Sequence, residues 1–397
     1  MTVHIFPNAK FHDGTPVTAA LVADALNGAL PRLMGPAFDD VKQITGIDAT
    51  TVRIDLHRRS QFIVDALETA VQRPGKAGVG TGPYVAVPGT SPPLLKANAE
   101  YYRERPSIRQ ISVTSYPSVR AAWAELLRGN LDMLNEVNSD ALDSLQGASN
   151  IAVFSYVRHY QYMVVFGPNA PALKSPEVRR ALSAALDREA IVREALGGHA
   201  VPSTGPMQSD HWAIAGTQAA PVQQREAAKE LAKRHLKFTC LVPPDSVYER
   251  VALAVRQQLA AVSVDMQIVE ASQEQIAKAG QSGEFEALLG DVVSGPTMFR
   301  QYRHWFSGTQ ALPKPLGSPA IDAALERINH AVSDDEYRSG VRAFLRAMAD
   351  EPPALFLAWP ERARAVSRRF NVPAPEKSRD ILSSIRLWRP AAPGGAN

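Results

Sequence analysis

The chain of 397 residues is 45% hydrophobic and 21% charged, the balance of an ordinary globular protein with roughly 150 residues per domain, hence two or three domains. Its single cysteine, Cys240, excludes an internal disulfide and a cysteine-rich zinc site. A net charge of +3 gives no argument for a nucleic-acid partner, and the longest apolar runs, such as 162–166, fall far short of the ~20 residues of a spanning helix.

The opening residues alternate as a strand and carry no basic segment, long apolar run or cleavage site of an export signal. The chain is therefore expected to enter inside a folding unit. Thr18 is placed to cap a helix over about 19–30. Residues 51–56 alternate as a half-buried strand, and short strands are expected at 84–87 and 94–97 around the turn-rich 88–93. A strand at 108–115 precedes a helix capped by Ser118 and stopped by Gly129. Ser175-Pro176-Glu177 supplies an N-cap, a proline at the first helical position and an acid in the first turn. A second helix opens at Asp187 and ends at Gly197-Gly198, and a third is expected over about 224–235. Strand 236–242, helix 247–261 and strand 264–269 suggest a βαβ unit. Ser333-Asp334-Asp335-Glu336 has the form of a capping box; Pro352-Pro353 ends that helix, and 355–359 follows as a buried strand. The segment Arg362–Arg389 holds eight basic and two acidic residues and reads as a solvated face rather than a patch for an anionic partner.

Patterns for catalysis are not found. Gly78-Val79-Gly80-Thr81-Gly82 has the composition of a nucleotide loop, but a phosphate cradle must open a helix whose N-terminal amides face the anion. Here Pro83-Tyr84-Val85 starts a strand, so a tight turn or hinge fits better. The nine histidines contain no i, i+4 pair, so no metal site is expected; His159 and His211 are single candidates for ligand contact. Gly280-Gln281-Ser282-Gly283 has the wrong spacing for a nucleophile elbow. Asp39-Asp40 and Asp334-Asp335 are explained by a turn and a helix start. No enzyme activity and no cofactor are expected.

Six motifs follow one another along the chain: Phe11-His12-Asp13-Gly14-Thr15-Pro16-Val17-Thr18-Ala19; Gly80-Thr81-Gly82-Pro83-Tyr84; Asn98-Ala99-Glu100-Tyr101-Tyr102 with Pro106; Gly129-Asn130-Leu131-Asp132; Val178-Arg179-Arg180-Ala181-Leu182-Ser183-Ala184-Ala185-Leu186-Asp187-Arg188-Glu189; and Pro353-Ala354-Leu355-Phe356-Leu357. Together they resemble the extracytoplasmic solute-binding proteins, family 5 (peptide/nickel/opine-type), of bacterial ABC importers, over most of the chain. The resemblance implies an α/β chain with the two-lobed periplasmic-binding-protein fold (type II, cluster C-like) and a ligand cleft between the lobes. Lobe I is expected over 1–195, lobe II over 205–360, with a return to lobe I over 365–397. It also implies a non-catalytic, monomeric receptor that captures a peptide or small molecule and hands it to a membrane permease. Such a receptor works in the periplasm, although this chain shows no signal peptide. The alternative is the solute-sensing effector module of a regulator built on the same fold.

The chain departs from the family in two places. Family members usually have a longer N-terminus that supplies one cleft wall. In peptide binders an aspartate followed by proline commonly helps hold the α-amine; Gly295-Pro296 stands there instead, with Asp291 four residues earlier. Segment 299–306 combines two arginines with four aromatics. Either Arg300, Arg303 and Trp305 line the cleft and select an acidic group, or an amphipathic helix buries the aromatics and solvates the arginines. Tyr160, Tyr162, Trp212 and Asp291 complete the candidate ligand-binding set, with burial in the lobe as the competing explanation for the aromatics.

Overall fold

The computed structural model describes residues 1–137, 139–157, 160–209, 211–214, 231, 233–293, 297–309, 313, 316–373 and 380–392. Strand β1 (Thr2–His4), helix α1 (Ala19–Met34), strands β2 (Val41–Gly46) and β3 (Thr51–Leu56) and the short α2 (Phe62–Ala66) come first. Thr18 Oγ1 accepts from the Leu21 amide at 3.3 Å, so α1 starts where its cap predicts. It continues past Leu30 because Met34 extends the buried stripe of Val22, Leu26 and Leu30. The strands form a small antiparallel sheet in the order β1-β3-β2.

A second small antiparallel sheet holds β4 (Tyr84–Val87), β5 (Leu94–Ala97) and β6 (Gln110–Ser112); β6 is shorter than the predicted 108–115. Then come α3 (Val119–Leu127), β7 (Met133–Val137), α4 (Ser139–Gln146), β8 (Ile151–Val157), β9 (Tyr160–Phe166), α5 (Pro176–Ala184), α6 (Arg188–Ala195) and β10 (Ala200–Pro202). The predicted helix at 224–235 lies largely outside the described residues. Strand β11 (Lys237–Val242), α7 (Ser246–Ala260), β12 (Asp265–Glu270), α8 (Gln273–Ser282), β13 (Ala287–Val293), α9 (Met298–Trp305), α10 (Pro319–Asn329), α11 (Asp334–Asp350) and β14 (Ala354–Ser367) follow.

The main sheet has the order β10-β14-β9-β13-β11-β12, with β7 and β8 paired to the later part of β14. Strand β11 is parallel to both β12 and β13, so the predicted βαβ unit is present. Both faces of this sheet are covered. Met163, Val165, Val292 and Phe356 pack against α1, α2, α9, α10 and α11; Tyr162, Val164, Phe166, Leu289 and Leu357 pack against α5, α6 and α7. Burial on both sides explains why 162–166 is an unbroken apolar run. A third core joins α3, α4, β7 and β8 to Ala363 and Ala365 of β14. The second core joins α5 and α6 to α7.

Two sequence expectations need correction. Strand β14 runs to Ser367, well beyond 359, and turns Arg362 and Arg364 inward with side chains 12% and 10% exposed. The start of the basic segment is therefore not a solvated face. Arg364 pairs with Asp380 (Nε to Oδ1, 2.5 Å) and so ties the C-terminal segment to β14. Asp40 is not a turn carboxylate but a buried one: it accepts from Asn329 Nδ2 at 2.7 Å, lies 2.9 Å from His330 Nε2 and pairs with Arg58.

Candidate ligand-binding site

In open α/β sheets ligands bind in the crevice outside the carboxyl ends of the parallel strands. For β11 and β13 that edge is marked by Val242 and Val293. Helix α7 begins there, its amino end capped by Asp245, which accepts from the Val247 amide at 2.9 Å; Tyr248 stands in its first turn. Antiparallel β9 starts at the same edge, which places Tyr160 opposite Val293 and Tyr162 opposite Asp291.

These residues form one group. Tyr162 is 1% exposed and its ring meets Tyr248 edge-on, centroids 5.4 Å apart at 88°. The Tyr248 phenol feels the charge of the Asp291 carboxyl. Arg362 Nη2 donates to Tyr162 Oη at 2.9 Å, and its Nε lies 3.5 Å from Glu136 Oε1. Burial pushes the Tyr162 phenol up to about 12. Burial, followed by the Asp291 charge, raises Tyr248 well above the usual phenol range. Both phenols keep their protons at neutral pH. The edge thus presents two neutral hydroxyls, three carboxyl groups (Glu136, Asp245, Asp291) and one guanidinium. That is binding chemistry for a polar solute, with apolar contact from the tyrosine faces.

The remaining candidates sit on other elements. Trp212 is 48% exposed, stacked on Tyr337 of α11 (5.1 Å, 18°) with the Arg338 guanidinium 5.3 Å from its ring and His211 stacked at 6.0 Å. Arg300 lies 3.9 Å from Glu68, and Arg303 is exposed. Trp305 is buried: Nε1 donates to Gln301 Oε1 at 3.0 Å and the ring packs edge-on against Phe356. Helix α9 therefore buries Phe299, Tyr302 and Trp305 and turns its two arginines outward. The structure brings Tyr162 and Asp291 together with Tyr160 beside them; Trp212 sits with α11, and the other three sit on α9. His159, Gly295 and Pro296 lie outside the described residues. The glycine-rich stretch is a docking turn, since the His12 amide donates to Gly80 O at 2.8 Å and His12 Nε2 lies 3.1 Å from Gly82 O.

Sequence reasoning missed Tyr248 and Arg362. A tyrosine three residues after the cap of a helix that follows a parallel strand is a readable signal for the first. The alternation that continues past Pro360 is a readable signal for the second.

The fold is that of the two-lobed periplasmic-binding type. The chain belongs to the bacterial extracellular solute-binding proteins, family 5, whose middle-region model matches residues 1–312. It is similar to the probable D,D-dipeptide-binding periplasmic protein DdpA of Escherichia coli K12, 25% identical over 342 residues, 77% of this chain and 65% of that one. It is also similar to the glutathione-binding protein GsiB of Shigella flexneri serotype 5b, 27% identical over 342 residues, 78% of this chain and 64% of that one. The chain thus spans just under two thirds of the length of these relatives. Among solved structures, the oligopeptide-binding protein AppA from Bacillus subtilis, in complex with a nonapeptide, aligns with a TM-score of 0.84 at 19% identity, covering 98% of this chain and 87% of that one. NikZ from Campylobacter jejuni, in complex with Ni(L-His), aligns with a TM-score of 0.84 at 18% identity and the same coverage. The two-lobed α/β fold implied by the motifs is the fold of this chain.

Proposed function

We propose that the chain is the ligand-capturing part of an ABC-importer receptor. It binds a peptide, an opine or a similar small solute between its lobes outside the inner membrane and presents it to the membrane permease. The observation that carries this reading is the Tyr162–Tyr248–Asp291 group at the carboxyl edge of β11 and β13, where a two-lobed α/β fold places a ligand crevice. The group offers hydrogen bonds and apolar faces. The reading is of binding without turnover, as in the binding proteins this chain resembles.

The proposed site is built on Tyr160, Tyr162 and Asp291; Trp212, Arg300, Arg303 and Trp305, on or beside the helices of the other sheet face, stand apart from it. Hinge closure expels water, and contacts from both lobes form only in the closed state. The test is mass spectrometry of small molecules that co-purify with the protein, followed by thermal melting with each and with glutathione and a D,D-dipeptide. A solute at a hundredfold its Kd should stabilise the fold by about 2.7 kcal/mol. A chain that carries no solute and is stabilised by none of these probes would overturn the proposal.

A further inference from the structure

Helix α11 buries Val341, Phe344 and Met348 on one side and turns a row of arginines out on the other. Arg338, Arg342 and Arg346 stand four residues apart, so each lies about 6 Å further along the axis and about 40° round from the last. Arg338 has 43% of its side chain exposed, and Arg342 and Arg346 are exposed. Arg327, exposed on the neighbouring α10, joins them by donating from Nη2 to Ser339 Oγ at 3.1 Å. Among the described residues the one carboxylate within ion-pair reach of these four is Asp335, 3.9 Å from Arg338; Arg342 and Arg346 stand in no ion pair there.

At the head of the row Trp212 is half exposed, stacked on Tyr337 with the Arg338 guanidinium 5.3 Å from its ring. An indole packed flat on a helix and still half in water has apolar surface left to cover, and it suits a boundary that is wet on one side. The arginines project from the convex side of a helix rather than into a groove. Their long stems can bring the charged heads to one plane, so a broad anionic surface meets all of them at once, whereas a short acidic segment meets only a few. Phosphate oxygens at such a surface accept the guanidinium fork, and a tryptophan beside them sits at headgroup level.

We propose that the outer face of α11 is a contact surface for anionic lipid headgroups, which holds the receptor against the membrane that carries its permease. The membrane's presence beside the protein rests on the proposed function; the match of charge and shape does not. Sedimentation of the full chain with lipid vesicles tests it. Vesicles of phosphatidylcholine with about one third phosphatidylglycerol should bind the protein at about 0.05 M salt and release it at about 0.5 M, and vesicles of phosphatidylcholine alone should not bind it. An arginine near an anionic surface contributes about fivefold in affinity, so Arg342→Gln with Arg346→Gln should weaken binding about 25-fold. Arg256→Gln with Lys278→Gln removes the same charge from exposed positions on α7 and α8 and should change binding less than about twofold. No binding to the anionic vesicles, equal weakening by the two pairs, or binding indifferent to salt and to phosphatidylglycerol overturns the proposal. Binding of polyglutamate through Arg342 and Arg346 without binding of vesicles also overturns it, and gives the face to an acidic protein. Solute capture is followed separately by thermal melting. A chain that captures a solute but ignores vesicles ends this inference and keeps the receptor reading; one that meets vesicles through α11 but captures nothing does the reverse.

Discussion

A proton on His304 finds no favourable place in the folded chain. The ring is 7% exposed, its Nε2 has no partner, and burial pushes its pKa down to about 4. An unfolded histidine takes up its proton near 6.5. Because the folded value is the lower one, this contribution to stability is complete above about pH 6.5 and is lost as pH falls toward 4. The loss should reach about 2 kcal/mol by pH 5, read as a drop in urea midpoint between pH 7 and 5 that His304→Gln makes smaller. Arg300 and Arg303 pose a different question, because the spacing of α9 shows which face is apolar and says nothing about what its polar face meets. If the two guanidinium groups hold an acidic part of the ligand, Arg300→Ala or Arg303→Ala should cost about 2–5 kcal/mol of binding. Calorimetry with a co-purified solute decides it: a change within about 0.5 kcal/mol in both variants retires the acidic-ligand idea.

At the scale of elements, caps were the most legible signals. Thr18, Ser118 and Asp187 each accept from an amide in the first turn of the helix they open, whereas Ser175 makes no side-chain capping bond. The capping box at Ser333 is only half formed: Ser333 Oγ accepts from the Glu336 amide at 3.2 Å, whereas the Glu336 carboxylate turns back to the Val332 amide at 2.9 Å. The true length of β14 was hidden by Pro360, which normally argues against a strand interior. The proline is tolerated because pairing with β9 ends at Ala358 and pairing with β8 begins at Glu361. A second junction depends on an absent side chain. A Cβ at Gly167, just after β9, would lie 1.8 Å from the Phe285 carbonyl oxygen just before β13. Gly167→Ala should therefore force the two strand ends apart and cost about 3 kcal/mol of folding stability in chemical denaturation; a loss under about 1 kcal/mol would show that the junction yields easily.

For the whole molecule, the ordered motifs carried the fold because they mark turns and docking contacts repeated along the chain, such as His12 on Gly80 and Gly82. The ligand edge was less legible. Its floor combines Tyr162, Tyr248, Asp291 and Arg362, which meet only when β9, α7, β13 and β14 assemble, and no local period links them. Cys240 offers a reporter of that assembly. It lies fully buried in β11, and burial pushes its thiol up to about 12. Labelling by a thiol reagent at pH 8 should require global opening, and its rate should rise with urea in step with unfolding; prompt labelling of the native protein would contradict this.

The shared core of the first face has a consequence for the order in which the chain acquires structure. Residues 19–66 bury their apolar side chains against α9, α10 and α11, and Ser60 donates to Asn329, 269 positions away, at 2.8 Å. Residues 19–66 therefore cannot finish their packing until more than two hundred further residues have been made. Closing so long a loop is entropically slow. During synthesis or refolding the faces of α1 and β3 stay open to water and to other chains, and the window for misassociation is set by the arrival of α10 rather than by the first helix itself.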